Sequence, residues 1–174
     1  EVKLAAGHSK ALRQVFVAGS SWLPDEEIFI KYFDKHSEWK LIIAPHVIAN
    51  SHLQQILQLL KGKKVVFYTK ATEENVADAD VLIVDCFGLL SSIYHYCDVA
   101  YVGGGFGVGI HNVLEAAVWG MPVIFGPNNK RFAEAQGLLA SGGGFEVNNY
   151  ETFAQIIEKF SSDEAYLQQS GQAS

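Results

Sequence analysis

Six short stretches of the chain are apolar at every position. They are Val15-Phe-Val-Ala18, Leu41-Ile-Ile-Ala44, Val65-Val-Phe-Tyr68, Val81-Leu-Ile-Val84, Val99-Ala-Tyr-Val102 and Val123-Ile-Phe125. A strand with one wet face alternates apolar and polar residues. A run without that alternation predicts a strand covered on both faces, as in a parallel sheet. Between the runs the period changes to that of a helix. Pro24-Asp-Glu-Glu27 puts proline and acids in a first turn, and Ile28, Phe29, Tyr32 and Phe33 follow on one face. Leu53, Ile56, Leu57 and Leu60 mark a helix over 52–60. Further helices are predicted over 89–97, 113–119, 131–139 and 150–160. The polar tail from Gln168 to Ser174 reads as the stub of a helix. Strand alternating with helix at this spacing predicts a doubly wound, Rossmann-like α/β fold, a single domain over 1–174.

In such a sheet, ligands bind outside the carboxyl ends of the strands. The loops to inspect are therefore Gly19-Ser20-Ser21, Pro45-His46, Asp85 to Gly88, Gly103 to Asn112 and Gly126 to Lys130. Gly103-Gly-Gly-Phe-Gly-Val-Gly-Ile-His-Asn112 is the richest. Its glycines let backbone approach a ligand and are expected to expose N–H groups. A helix starting near His111 would offer the positive end of its dipole to an anion. The helix after Ser21 opens instead with Asp25, Glu26 and Glu27, three carboxylates that would repel a phosphate. A phosphate is therefore expected near His111 and Asn112. Glu115, one turn in, either accepts bonds from sugar hydroxyls or is a first-turn acid favoured by the dipole. His111 either donates to the phosphate or caps the helix. His46 follows a strand at the ligand edge. His8, His36, His52 and His95 have no companions and read as surface or packing residues.

Composition narrows the function classes. The 174 residues are 49% hydrophobic and 18% charged, so an ordinary core rather than disorder is expected. Folding at this length buries roughly 70% of the extended-chain surface. Lys+Arg 13 against Asp+Glu 19 leaves a net charge of −6, which argues against a nucleic-acid partner. No stretch has the length and apolarity of a membrane helix. Cys86 and Cys97 form no disulfide framework and no zinc spacing; buried reduced thiols in a cytoplasmic setting are expected. The chain opens Glu1-Val2-Lys3 and has its only methionine at Met121, so a piece of a longer protein or a processed chain is expected.

Several known motifs are absent. No G-x-G-x-x-G, Walker lysine, G-x-S-x-G or H-E-x-x-H occurs. Asp78-Ala79-Asp80 matches a metal-holding D-x-D but precedes a strand, at the wrong end of the sheet, and reads as a turn.

The loops, in order, resemble the C-terminal half of a 3-deoxy-D-manno-octulosonic acid (Kdo) transferase of the GT-B fold. The resemblance runs from about Val15 to Phe160. It is carried by Val17-Ala-Gly-Ser-Ser-Trp22 with Glu26-Glu27, Ile43-Ala-Pro-His46, and Asp85-Cys-Phe-Gly-Leu-Leu90 with Tyr94. It continues through Asp98-Val-Ala-Tyr-Val-Gly-Gly-Gly105, Gly109-Ile-His-Asn-Val-Leu-Glu115 and Gly120-Met-Pro-Val-Ile-Phe-Gly-Pro127. The resemblance implies transfer of Kdo from CMP-Kdo to a lipid A precursor at the cytoplasmic face of the Gram-negative inner membrane. It implies an inverting reaction with no metal or other cofactor. Acceptor, membrane contact and general base would belong to an N-terminal domain outside this sequence, so the 174 residues alone are expected to be inactive.

The resemblance also implies site roles. Ser20 and Ser21 would face the phosphate or Kdo, and Gly88 would lie near the cytosine. Gly104 and Gly105 would leave backbone room beside the nucleotide. His111 and Asn112 would contact the phosphate or Kdo, and Glu115 the ribose. His46 stands where many relatives have arginine, Ile110 where they have glycine, and Ala116 where they have proline. Lys130 and Arg131 are placed to meet the donor's carboxylate but match no family motif. The alternatives are a GT-B domain that takes a UDP-sugar and a non-catalytic nucleotide-binding α/β module.

Overall fold

The computed structural model describes residues 13–174; the amino-terminal opening and His8 lie outside that range. Its strands are β1 (Gln14–Ser21), β2 (Trp39–Pro45), β3 (Val65–Phe67), β4 (Val81–Ile83), β5 (Val99–Val102), β6 (Val123–Phe125) and β7 (Gly144–Glu146). They form one parallel sheet in the order β3-β4-β2-β1-β5-β6-β7. The helices are α1 (Leu23–Phe33), α2 (Asn50–Leu59), α3 (Glu73–Asp78), α4 (Leu90–Ile93), α5 (Leu114–Ala117), α6 (Ala133–Ser141), α7 (Tyr150–Ser162) and α8 (Glu164–Gln172).

Every apolar run is a strand, and the reason is visible in β1. Phe16 and Ala18 enter a core with Phe29, Phe33, Ile56, Phe153 and Ile157. Val15 and Val17, pointing the other way, enter a second core with Val76, Ile93, Ala116 and Leu138. Helices cover both faces, so the run from Val15 to Ala18 has no position left for a polar side chain.

Two elements escape the sequence pattern. β7 opens on a glycine at the sheet edge and carries no apolar run. In α3 (Glu-Glu-Asn-Val-Ala-Asp) Val76 is the one buried residue. That helix is fixed by its cap instead: the Asn75 N–H donates to Thr72 Oγ1 at 3.2 Å, and the Thr72 N–H donates to Asn75 Oδ1 at 2.7 Å. Two predicted helices are shorter than expected. Residues 89–97 hold a single turn, α4, continued by a 3₁₀ turn over Tyr94–Tyr96. Residues 113–119 hold the four-residue α5. The polar tail is not a free stub. Most of it belongs to α8, Gly171 packs on the Gly120 carbonyl, and Ser174 Oγ donates to the Met121 carbonyl at 2.6 Å.

Strand order positions the site. The chain leaves β1 toward β2, fills that side with β3 and β4, and then crosses back to place β5 on the other flank of β1. The switch between β1 and β5 is where a doubly wound sheet opens a crevice at its carboxyl edge. The loops meeting there are those after Ser21 and after Val102. Asp78-Ala79-Asp80 lies at the opposite end, where Asp80 accepts from Arg13 at 3.1 Å and from the Lys64 N–H at 3.0 Å.

Two of the glycines bear opposite constraints. A Cβ on Gly105 would lie 2.5 Å from Gly126 Cα, backbone that has no freedom to retreat. A Cβ on Gly137, inside α6, would meet nothing within 4 Å. Gly105→Ala should therefore lower stability by about 1–3 kcal/mol through overpacking. Gly137→Ala should raise it by about 0.5–1 kcal/mol through helix propensity. Urea unfolding midpoints measure both, and a stable Gly105→Ala chain would mean that the two loops are not in contact.

Candidate functional site

The β1 loop turns on one strained residue. Ser20 has φ 51°, the left-handed value that side chains avoid, and it is the one non-glycine with positive φ among the described residues. The turn coincides with a register shift between Gly19 and Ser21 in the β1–β2 pairing. It sends the two serines to different places. Ser20 stays half-buried at the edge, whereas Ser21 is fully buried and donates its hydroxyl to Glu26 Oε2 at 2.8 Å. Ser21 thus reaches the site through its backbone: its carbonyl accepts from the His46 N–H at 3.0 Å.

Asp25 and Glu26 are also turned inward, at 1% and 0% exposure. Asp25 Oδ2 accepts from the Trp22 N–H at 2.9 Å and the Gly104 N–H at 3.2 Å, and Oδ1 accepts from the Tyr101 hydroxyl at 2.6 Å. Burial raises the Asp25 carboxyl above its ordinary pKa, opposed by those three bonds and by His111. Burial likewise raises Glu26, opposed by hydrogen bonds from His52 and Ser21. His52 is therefore not companionless: its Nε2 is 3.1 Å from Glu26 Oε2 and 2.8 Å from Oε1. The expected repulsion at this helix is absent from the surface, because two of its three acids are enclosed and only Glu27 is exposed.

The glycine loop differs from a row of free donors. The N–H groups of Gly103, Gly107, Gly109, Ile110 and His111 donate to protein carbonyls, and that of Gly104 to Asp25. A Cβ on Gly103 would overlap the Ser20 carbonyl, and one on Gly104 the Gly109 carbonyl. The room at Gly104 and Gly105 is thus taken by neighbouring protein backbone. Asn128 closes the loop from the β6 side, its N–H donating to the Gly105 carbonyl at 2.8 Å and its Nδ2 to the Gly107 carbonyl at 2.6 Å. With α5 one turn long and Asn112 Oδ1 accepting from the Leu114 N–H at 2.9 Å, the dipole offers an anion little.

Side chains crowd the same edge. The rings of Trp22 and His46 stack at 4.7 Å, and those of His46 and His111 at 4.3 Å. Trp22 Nε1–H donates to His111 Nε2 at 3.2 Å. Burial lowers the His111 pKa and His46 adds to the shift, while Asp25 opposes both. Beside His111 a recess of about 350 Å³ is lined by Ile110, Asn112, Leu114 and Phe132.

Glu115 is half-buried, and among the described residues nothing donates to its carboxylate. It lies near enough to Tyr94 to raise the pKa of that phenol, behind the larger effect of burial. Tyr94 and Leu90 in turn pack on Gly19 at the end of β1. Glu115 thus connects through Tyr94 to the Gly19 end of β1, beside Ser20, while His46 and His111 stack on each other. Gly88 has φ 89° and open space beside it, next to Phe87 at 78% exposure. Lys130 and Arg131 are engaged elsewhere, with Glu146 and the Val108 carbonyl. Cys86 and Cys97 are free and half-buried rather than buried. Among the described residues no cluster of His, Cys, Asp and Glu could hold a metal ion, and no helix is long and apolar enough to cross a membrane.

Sequence reasoning missed Trp22 and the inward role of Asp25. An aromatic directly after Ser20-Ser21, on a loop at the ligand edge, was the available signal for Trp22.

No protein-family model matches the chain. The 3-deoxy-D-manno-octulosonic acid transferase of Aquifex aeolicus is 37% identical over 142 residues, 78% of this chain and 38% of that protein. A bifunctional glycosyltransferase/methyltransferase of Fusobacterium nucleatum is 31% identical over 156 residues, 87% of this chain and 24% of that protein. The chain thus spans less than half of either relative. The C-terminal CMP-Kdo binding domain of WaaA from Acinetobacter baumannii superposes with a TM-score of 0.77 over 92% of this chain and 87% of that one, at 20% identity. The fold is that of the C-terminal half of a GT-B glycosyltransferase. Over most of its length the chain is homologous to Kdo transferases.

The enclosed Asp25 gives a pH test of this geometry. The folded chain holds the Asp25 proton more tightly than the unfolded chain does, so protonation favours folding. The stability difference between wild type and Asp25→Asn should therefore shift in favour of wild type as pH falls from neutral toward the ordinary aspartate pKa of about 4. Urea unfolding across that range measures it, and a shift toward Asp25→Asn would mean that Asp25 is not enclosed as described.

Proposed function

We propose that this chain is the donor-binding half of a Kdo transferase and that it takes CMP-Kdo in the crevice between the β1 and β5 loops. One observation carries the reading. The segments that resemble Kdo transferases are the loops that the fold gathers at one sheet edge, in a chain 37% identical to such an enzyme. In this reading the cytosine sits by Gly88, and Glu115 accepts from the ribose hydroxyls. The phosphate lies against Ser20, His111 and Asn112. Departure of CMP builds negative charge on that phosphate, so donors fixed at its position lower the barrier to transfer.

In the whole protein, Kdo would pass with inversion to a lipid A precursor at the cytoplasmic face of the Gram-negative inner membrane. The general base and acceptor site would be supplied by residues outside these 174. The chain by itself would then bind donor without turning it over, and binding would need no metal.

Isothermal titration with CMP and UDP separates this reading from a UDP-sugar domain. CMP should bind more tightly, with the same affinity with and without Mg²⁺. Tighter binding of UDP would refute the Kdo assignment, and binding of neither would favour a module with another ligand. Glu115→Gln should weaken CMP by about 1.5–3 kcal/mol, roughly 10- to 150-fold, as for a lost hydrogen bond to a charged group. Unchanged affinity would reduce Glu115 to a first-turn acid.

A further inference from the structure

We infer that Trp22 is a positioning residue: it holds His111 as the neutral Nδ1–H tautomer and so aims a fixed N–H donor at an anionic group of the bound ligand. An indole nitrogen donates and never accepts. Trp22 Nε1 lies 3.2 Å from His111 Nε2, so Nε2 must be the unprotonated nitrogen, and the proton of the neutral ring resides on Nδ1. Packing gives the ring its direction. Its Cδ2 is close enough to Gly104 that a Cβ there would lie 3.1 Å away, so the Cδ2–Nε2 edge faces protein. The Nδ1–Cε1 edge is opposite, and Nδ1 has no partner among the described residues. The ring itself is half-buried.

The surroundings favour the neutral ring. His46 stacks on it at 4.3 Å, so charge on both rings would be repulsive. Asp25 of α1 acts in the opposite sense, but its carboxylate is occupied by Trp22, Tyr101 and Gly104. Arg131 reaches the same loop from the other side and donates to the Val108 carbonyl. A doubly protonated His111 would have to break from Trp22, since both partners would then be donors. The glycine loop gives most of its N–H groups to protein acceptors, so a fixed Nδ1–H adds a directed donor to those that remain at this edge.

The contact with ligand rests on the CMP reading; the tautomer does not. Imidazole ¹⁵N spectra of the free chain at about pH 7.5 should show His111 with a protonated-type shift at Nδ1 and an unprotonated-type shift at Nε2. A free imidazole prefers the Nε2–H form, so the reverse pattern in the wild-type chain overturns the inference without any variant. Trp22→Phe keeps an aromatic ring in the stack and removes the donor. It should move His111 toward the Nε2–H form and weaken CMP several-fold, while the urea midpoint stays near wild type. An unchanged His111 pattern in Trp22→Phe overturns the inference. On addition of CMP, the wild-type Nδ1 resonance should shift more than Nε2. CMP binding that leaves Nδ1 unmoved refutes the ligand contact, and a wild-type chain that binds no CMP refutes the functional reading, with the free-chain spectrum still deciding the tautomer.

Discussion

A single buried carboxylate ties the two site loops together. Asp25 begins helix α1, yet two of its three hydrogen-bond partners, Tyr101 and Gly104, come from the β5 segment. An acid near a helix N-terminus is ordinarily favourable and exposed. Here it is enclosed, and enclosure is tolerable only because three donors meet it. Replacing the carboxylate by an apolar group would leave those donors unpaired, at about 1–3 kcal/mol each. The same residue fixes the Trp22 backbone, and thereby the indole that bonds His111. The position of the Trp22–His46–His111 stack depends on that anchor.

The glycines follow from the same constraint. Once the β1 turn and the β5 loop are drawn together, their backbones approach too closely for a side chain at Gly103, and Gly105 is crowded in the same way by Gly126 of the β6 loop. Most of the loop's N–H groups are then taken by protein acceptors, which stiffens it and leaves fewer backbone donors than its glycines alone suggest. In the proposed reading, recognition of an anion passes to the side chains set beside that loop. Ser20, held at φ 51°, is one of them. Strain of this kind costs about 1–2 kcal/mol and persists only where the surroundings fix it, here between the β-bulge and Gly103.

Much of the arrangement was legible in residues. The apolar runs announced two-faced strands, and the carboxyl-edge loops that they implied hold Ser20, His46, Gly88, His111 and Asn112, but neither Trp22 nor Glu115, which lies on α5. Other features were not legible, for physical reasons. Phe145 and Val147 do not form an apolar run, so the edge strand β7 carried no signal. Helix α5 ends after one turn because Gly120 and Pro122 stop the chain soon after Trp119, and the dipole argument built on a longer helix loses its force. Glu26 looked like one of three surface acids, but it lies enclosed between Ser21 and His52, residues 5 and 26 positions away.

The sequence by itself determined the class of fold, the loops that meet at the carboxyl edge of the sheet and the homology to Kdo transferases. These depend on local periodicity and on residue order, which a linear chain displays. Strand order, the inward turn of Asp25 and Glu26, and the contact of Trp22 with His46 and His111 were decided only by tertiary structure. The ring contacts join residues separated by 24 to 89 positions, and such pairings are set by which loops the crossover at β5 brings together. The physical reason is that burial and hydrogen-bond satisfaction are properties of a packed whole: the same aspartate repels a phosphate at a surface and anchors a loop when enclosed.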